Sequence, residues 1–308
     1  MANLINLDLD GETDPDFPDI TSGRPIRTSK DFYKQRSIAL PDTFLRSDAD
    51  AVANLPPLVV RPIDFRATAL PEYGGAYACI FDNVLTADEC QQLIRLAEDS
   101  VADEARGRSG TRTWKPAMVN IGNGIEIFDG SYRNSDRIVW DHQEVVDRIW
   151  GRITSRAPQA RDELDAVTRE GPGWSVTWGF ASFNQRMRFL RYGPDQFFRP
   201  HCDGAFSEVR DGKQYSTFYT VHLYLNDSVE EVGETADLKG GATSFLSRDK
   251  RRKVSVHPKA GRVLIFQHDK LYHSGDDVLQ GTKFTVRMDM LYARGERVGE
   301  RKRGEDYE

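Results

Sequence analysis

The 308-residue sequence has little cysteine and no excess of positive charge. Its three cysteines, Cys79, Cys90 and Cys202, are too few and too scattered for a disulfide framework or a zinc cluster. The formal net charge of -6 argues against general nucleic-acid binding, which depends on neutralising phosphates. We therefore expect a globular protein that is not held together by disulfides or a zinc cluster. We also expect no nucleic-acid partner.

Long hydrophobic runs are also missing. No stretch approaches the roughly 20 consecutive apolar residues that a membrane-spanning helix needs, so no membrane partner is expected. The first residues, MANLINLDLDGETDPDFPDI, lack the basic start and apolar run of a secretory signal, and we expect a cytoplasmic protein. The balance of 39% hydrophobic and 29% charged residues is typical of a globular domain with a sizeable core.

The distribution of proline and charge divides the chain into three parts. Residues 1–71 contain eight of the fourteen prolines and little periodicity, which predicts an extended, partly disordered N-terminal arm with a short helix near 47–54. The alternative is an ordered arm packed on the domain. We predict one globular domain over residues 72–293, followed by a frayed, charged tail over 294–308.

Within the domain, two amphipathic helices precede a run of short strands. TADE, from Thr86 to Glu89, is a capping box followed by apolar residues at helical spacing, and a second helix is predicted to begin at Asp141. Many short strands separated by turns indicate a sandwich or barrel. We therefore predict an α+β, mainly β fold with helices packed on one face. The predicted strands are 76–81, 175–181, 187–191, 217–225, 242–245, 253–256, 262–266 and 283–292.

Among the six histidines, His201 lies two residues before Asp203 in RYGPDQFFRPHCDG. In an extended segment, residues two apart point the same way, so an imidazole and a carboxylate would converge. His273, in FQHDKLYHSG, is the third candidate ligand, in competition with His268 and Asp269. Two histidines and one carboxylate on one face of an octahedron leave open the positions that Fe(II) oxygenases need.

The segment GTKFTVRMDMLY is predicted to form a strand with two different faces. Charged side chains in an otherwise apolar β-domain are costly unless they point at a ligand or at each other. We interpret Lys283 as a ligand-binding cation, with Thr285 and Arg287 as further cofactor contacts. The alternative for Arg287 is a simple pair with Asp289. Alternation places Lys283, Thr285, Arg287 and Asp289 on one face, and Phe284, Val286, Met288 and Met290 on the other.

A set of motifs occurs in the same order as in a known family: RYGPDQFFRPHCDG, YTVHLYLND, GGATSF, GRVLIFQHDKLYHSG and GTKFTVRMDMLY. Over about residues 75–293, the sequence resembles the catalytic domain of the prolyl 4-hydroxylase group of 2-oxoglutarate and Fe(II)-dependent dioxygenases. The resemblance implies a double-stranded β-helix (jelly roll, cupin-like) core with supporting N-terminal helices. It also implies Fe(II), 2-oxoglutarate as cosubstrate, O₂ and, in some cases, ascorbate as reductant.

The resemblance assigns roles by position. Lys283 matches the base that pairs with the distal carboxylate of 2-oxoglutarate, and Tyr192 and Tyr224 match tyrosines that hydrogen-bond the cosubstrate. The positions that match the family's iron ligands, and would carry catalysis, are His201, Asp203 and His273.

Two residues are candidate substrate contacts. RNS, from Arg133 to Ser135, resembles an Arg-Thr-Ser segment of the family with Asn in place of Thr, which leaves the role of Arg133 open. We hypothesise that its guanidinium binds an anionic substrate group. Residues 109–137 are interpreted as a lid that would bring Trp114 to the substrate, with an ordinary surface loop pair as the alternative.

The predicted activity is oxidation of an unactivated C–H bond, by hydroxylation or by desaturation or cyclisation. The favoured substrate is a small molecule such as an amino acid or a biosynthetic intermediate, because no peptide-binding module is recognisable. The first alternative is a hydroxylase of prolyl or other residues in proteins. The alternative from another class is a β-helix protein that binds a ligand without turnover. A homodimer is left open.

Overall fold

The computed structural model describes residues 26–27, 33–102, 113–122 and 125–298. Residues 1–25 and 28–32 of the predicted arm, and 299–308 of the predicted tail, lie outside the described residues. The α-helices of the described part are Ala49–Ala53 (α1), Ala87–Ser100 (α2), Gln143–Thr154 (α3), Pro158–Leu164 (α4) and Val229–Val232 (α5). Short 3₁₀ helices cover Phe65–Ala67, Pro71–Tyr73 and Gly233–Thr235.

Strands make up most of the described chain. Before α4 they are Ile26–Arg27 (β1), Val59–Pro62 (β2), Ala78–Asp82 (β3), Lys115–Pro116 (β4), Val119–Gly122 (β5), Ile125–Ile127 (β6), Arg133–Asn134 (β7) and Asp136–Asp141 (β8). Between α4 and α5 they are Ala166–Gly171 (β9), Trp174–Phe183 (β10), Arg186–Tyr192 (β11), Phe197–His201 (β12), Ser207–Arg210 (β13) and Lys213–Tyr224 (β14). After α5 they are Lys239–Gly240 (β15), Thr243–Leu246 (β16), Lys253–Val256 (β17), Val263–Gln267 (β18), His273–Gly275 (β19), Val278–Gln280 (β20) and Lys283–Val298 (β21).

Two antiparallel sheets form the core of the fold. The major sheet has the order β2-β3-β18-β14-β21-β11-β8-β4, with β9 and β10 attached beside β21 and β13 beside β14. The minor sheet has the order β17-β16-β19-β12-β7. Buried side chains from both sheets meet, Leu264 and Phe266 from the major sheet packing with Phe245 and Val256 from the minor one. This arrangement confirms the predicted mainly β, double-stranded β-helix core.

The helices cover the outer face of the major sheet. The predicted capping box is present at the start of α2, where the Thr86 hydroxyl accepts from the Glu89 amide and the Glu89 carboxylate accepts from the Thr86 amide. Apolar residues of α2 and α3 pack in one cluster with Val286 and Met288. The predicted alternation of β21 is therefore confirmed, because its apolar face lies under the helices and its polar face lies opposite.

Part of the predicted arm contributes to the domain. Phe44 and Leu45 are buried in the helix-side core, and β2 pairs with β3 at the edge of the major sheet. Apolar residues between 38 and 70 thus find a packed environment, which proline content alone does not reveal. At the other end, β21 continues to Val298, inside the predicted tail, because its last residues pair with β10. Where an independently folding unit begins and ends stays a prediction.

Within the described residues, no helix has both the length and the apolar character needed to cross a membrane.

Candidate active site

A cavity of about 1660 Å³ opens between the two sheets. Its floor is the polar face of the major sheet, with side chains from β8, β11, β14 and β21. The minor sheet contributes β12 and β19, and the β5–β6 hairpin with Tyr33 and Lys34 forms part of the rim. The cavity therefore gathers residues that are far apart in sequence.

The predicted triad lies together in this cavity. His201 on β12 is the direct cross-strand partner of His273 on β19, and Asp203 follows two residues after His201. One ligand atom from each of the three residues lies within 4.8 Å of the others. The Nε2 atoms of His201 and His273 lie 3.5 and 3.7 Å from the two oxygens of Asp203. Strand register thus accounts for the convergence.

Backbone carbonyls fix which ring nitrogens face the centre. The Nδ1 atom of His201 lies 2.8 Å from the carbonyl of Arg199, and that of His273 lies 2.9 Å from the carbonyl of Leu271. A carbonyl only accepts, so each Nδ1 carries a proton and each Nε2 is the ring nitrogen that faces Asp203. Burial, reinforced by His201, lowers the pKa of His273 to about 4. Two imidazoles that face a carboxylate through Nε2 suit a divalent metal ion.

The carboxylate of Asp203 is oriented by two donors. Its Oδ2 accepts from the Thr220 hydroxyl at 2.7 Å and from Arg287 Nε at 3.3 Å. Burial alone would raise the pKa of Asp203, but the Arg287 guanidinium holds it well below its usual range. Asp203 is therefore ionised, as a metal ligand must be.

The predicted cosubstrate base, Lys283, lies at the floor of the cavity. Its side chain is only 1% exposed, and the amine lies 5.1 Å from the centre of the Tyr192 ring and 5.8 Å from that of Tyr224. Among the described residues, the amine has no hydrogen bond and no carboxylate within 4 Å. Burial lowers the pKa of Lys283 to about 8. A buried amine without an anionic partner fits a site for a ligand carboxylate.

A glycine makes room for this amine. Gly241 in the GGATSF segment has φ +68°, and a Cβ there would lie 3.1 Å from Lys283 Cδ. The turn can therefore pass close to Lys283 only with glycine at this position.

The other predicted cosubstrate residues divide into two groups. Tyr192 and Arg287 line the cavity, whereas Tyr224 and Thr285 do not. The Tyr224 hydroxyl donates to the Thr243 hydroxyl at 2.7 Å, and the Thr285 hydroxyl donates to a backbone carbonyl of β14 at 2.7 Å. The structure therefore does not place Tyr224 or Thr285 in contact with a cosubstrate. Each hydroxyl instead donates a hydrogen bond to a neighbouring group of the protein.

Arg287 is held by two carboxylates. Besides Asp203, its guanidinium lies 2.9 Å from Asp289. The alternative given for Arg287, pairing with Asp289, is therefore present, and its further bond to Asp203 links it to the metal site. This makes Arg287 a better candidate for orienting Asp203 than for contacting 2-oxoglutarate.

The two predicted substrate residues occupy different environments. Arg133 is buried, lines the cavity, and lies 4.5 Å from the centre of the Phe198 ring. Trp114 is buried on the helix side of the sheet, where its ring contacts Phe284 edge-on and its Nε1 donates to Glu98 at 2.7 Å. The predicted role of Trp114 is inconsistent with this position, because the indole packs in the core rather than at the cavity.

The competing ligands lie elsewhere. His268 is buried and does not line the cavity, and Asp269 pairs with Arg169 at 2.7 Å. Thr220, His222 and Thr243 are among the cavity residues that sequence reasoning missed. The alternation of β14 around Val221 could have indicated Thr220 and His222.

Comparison with known proteins agrees with the geometry. The family model described as the 2OG-Fe(II) oxygenase superfamily matches residues 187–288. Probable prolyl 4-hydroxylase 8 of Arabidopsis thaliana is 28% identical over 228 residues, covering 68% of this chain and 66% of that protein. Prolyl 4-hydroxylase 5 of Arabidopsis thaliana is 27% identical with the same coverage. The chain thus spans just under two thirds of the length of these relatives.

Among solved structures, the viral collagen prolyl hydroxylase of Paramecium bursaria Chlorella virus-1 is 19% identical, with 72% of this chain and 98% of that chain covered and a TM-score of 0.40. Residues 187–288 thus match the 2-oxoglutarate and Fe(II)-dependent oxygenase superfamily, and the His201–Asp203–His273 triad fits iron binding. Over about two thirds of its length, the chain is similar to prolyl 4-hydroxylases.

Proposed function

We propose that the protein is a 2-oxoglutarate and Fe(II)-dependent dioxygenase that hydroxylates a prolyl residue in a polypeptide. The observation that carries the proposal is one cavity that holds both the His201–Asp203–His273 cluster and the buried amine of Lys283, which has no ion pair among the described residues. When bound, iron and 2-oxoglutarate supply the oxidising power: 2-oxoglutarate gives succinate and CO₂, and one atom of O₂ is inserted into a substrate C–H bond.

The residues of the chain prepare this chemistry. His201 and His273 face Asp203 through their Nε2 atoms, and Thr220 and Arg287 hold the Asp203 carboxylate in place. Lys283 neutralises the distal carboxylate of 2-oxoglutarate at the floor of the cavity. Preorganised ligands and a buried counter-charge reduce the reorganisation that the reaction needs.

A polypeptide substrate is supported better than the small molecule favoured from sequence. The cavity volume of about 1660 Å³ exceeds the roughly 300–1,000 Å³ typical of small-ligand sites. Two curated relatives of the chain carry names that describe them as prolyl 4-hydroxylases. The sequence argument depends on the lack of a separate peptide-binding module, but a cavity of this volume within the domain can itself accept a polypeptide segment.

The test is turnover with defined peptides. Succinate release is measured with Fe(II), 2-oxoglutarate and a panel of proline-containing peptides, and the peptides are weighed by mass spectrometry. We expect at least one peptide to stimulate succinate release and to gain the mass of one oxygen atom at proline. Asp203→Ala should abolish both signals, whereas His142→Ala, which alters a histidine outside the cavity, should retain them. If free amino acids but no peptide stimulate succinate release, the proposal is wrong and the substrate is a small molecule, as favoured from sequence.

A further inference from the structure

Six arginines line the cavity, and four of them, each from a different strand, form a cluster. They are Arg133 on β7, Arg137 on β8, Arg188 on β11 and Arg287 on β21. Arg133 and Arg137 are buried, and the side chains of Arg188 and Arg287 are only 21% and 19% exposed. This set, the arginine cluster, concentrates positive charge in a protein whose net charge is -6.

Three carboxylates pair with the arginine cluster. Glu126 lies 3.0 Å from Arg137, Asp203 lies 3.3 Å from Arg287, and Asp289 lies 3.0 Å from Arg188 and 2.9 Å from Arg287. Asp203 is also a candidate metal ligand, so a bound metal ion would compensate part of its negative charge. The cluster is therefore short of negative charge.

The pairing of β11 with β21 makes this shortage of negative charge more severe. Arg188 is the direct cross-strand partner of Arg287, and like charges directly opposite each other destabilise a sheet. Asp289, two residues after Arg287 on the same face, has to serve both guanidinium groups. Burial, partly opposed by Asp289, lowers the pKa of Arg188 to about 10.

Arg133 is the member of the cluster without an ion pair among the described residues. Its guanidinium contacts groups that are neutral at physiological pH: the Ser135 hydroxyl at 3.5 Å, the Met118 carbonyl at 3.4 Å, the face of Phe198 and the Tyr192 hydroxyl. Long hydrogen bonds and a ring face compensate a buried cation poorly. The five donors of a guanidinium suit a carboxylate, which can accept two of them at once.

We propose that the substrate carries a carboxylate group that binds Arg133 within the arginine cluster. This rests on the proposed function and names the class of its substrate. Lys283 is the buried cation assigned to the cosubstrate, so Arg133 is available for the substrate. The carboxylate can come from an acidic side chain next to the target proline or from a free acid, and the two sources are separated below.

The first test needs no knowledge of the substrate. Arg133→Met should raise the Tm of the substrate-free protein by about 2–4 °C, because it removes an uncompensated buried charge from a binding site. Arg262→Met is the matched control: Arg262 is also buried but is bound by Asp82 and Glu231, so its loss should lower the Tm. A lower Tm for Arg133→Met would mean that Arg133 is a structural residue and would overturn the proposal.

The second test compares acids with amides. The probes are a peptide with glutamate on both sides of a proline, its glutamine counterpart, N-acetylproline and N-acetylproline amide. Their binding to the Mn(II) and 2-oxoglutarate-loaded protein is measured by calorimetry. We expect the acid of at least one pair to bind about tenfold or more tightly than its amide. The preferred pair identifies the source of the carboxylate.

Arg133→Gln should remove this preference, whereas Arg191→Gln, on the same strand as Arg188 but outside the cavity, should keep it. Equal binding of acids and amides, no binding by any probe, or a preference that survives Arg133→Gln would each overturn the proposal. Failure of the proposed function is distinguishable, because it would appear as a lack of succinate release by the wild-type protein, a signal that neither test uses.

Discussion

Lys283 offers the sharpest test of the cosubstrate site. Replacing it with methionine keeps much of the side-chain volume but removes the cation that lies over the rings of Tyr192 and Tyr224 at the floor of the cavity. A buried hydrogen bond to a charged group is worth about 1.5–3 kcal/mol, so the KM for 2-oxoglutarate should rise roughly tenfold to a hundredfold. The affinity for metal should change little, because Lys283 is not among the ligand atoms of the cluster.

The assay is succinate release at varied 2-oxoglutarate, with Mn(II) affinity measured separately by calorimetry. Lys253→Met is the control, since Lys253 is 57% exposed and already paired with Asp276. pH gives a second signature: a pKa of about 8 means that Lys283 loses its charge above that pH, so the KM should rise in the wild type but not in Lys283→Met. An unchanged KM in Lys283→Met would refute the assignment and move the role to Arg287.

Three further predictions follow from contacts around the site. Arg287→Met should weaken Mn(II) binding by about tenfold to a hundredfold, measured by calorimetry, because Asp203 loses an orienting donor; unchanged affinity would contradict this role. Trp114→Phe should cost about 1 kcal/mol in denaturant unfolding through loss of its bond to Glu98, and a raised substrate KM would instead restore Trp114 as a substrate contact. Asp82→Ala should cost about 3 kcal/mol of stability by weakening the pairing of buried Arg262, with all KM values unchanged; a shift in KM would show coupling to the cavity.

Much of the fold follows from local patterns in the sequence. The capping box before α2 and the alternation of β21 are short-range signals, and the structure realises both. The ordering of Phe44 and Leu45 was less accessible, because it depends on a surface provided by residues distant in the chain. Proline content predicts an irregular backbone but does not say whether that backbone is packed.

The site was predictable where one strand carried the information. His201 and Asp203 lie in one extended segment, and His273 is brought to them by cross-strand register. Hydrogen-bond partners on other strands could not be predicted from the sequence. An example is the Thr220 hydroxyl that orients Asp203. Trp114 lies in the helix-side core instead of on a lid, because that core offers the indole an apolar surface built from residues distant in the chain.

Metal-dependent binding of 2-oxoglutarate tests the central claim most directly. Titration calorimetry with Mn(II) should give one metal site, and 2-oxoglutarate should bind only after the metal is present. His273→Ala should lose both events, whereas His268→Ala should keep them. Binding of 2-oxoglutarate without metal, or metal binding that survives His273→Ala but is lost in His268→Ala, would contradict the assignment of His201, Asp203 and His273 as the metal site.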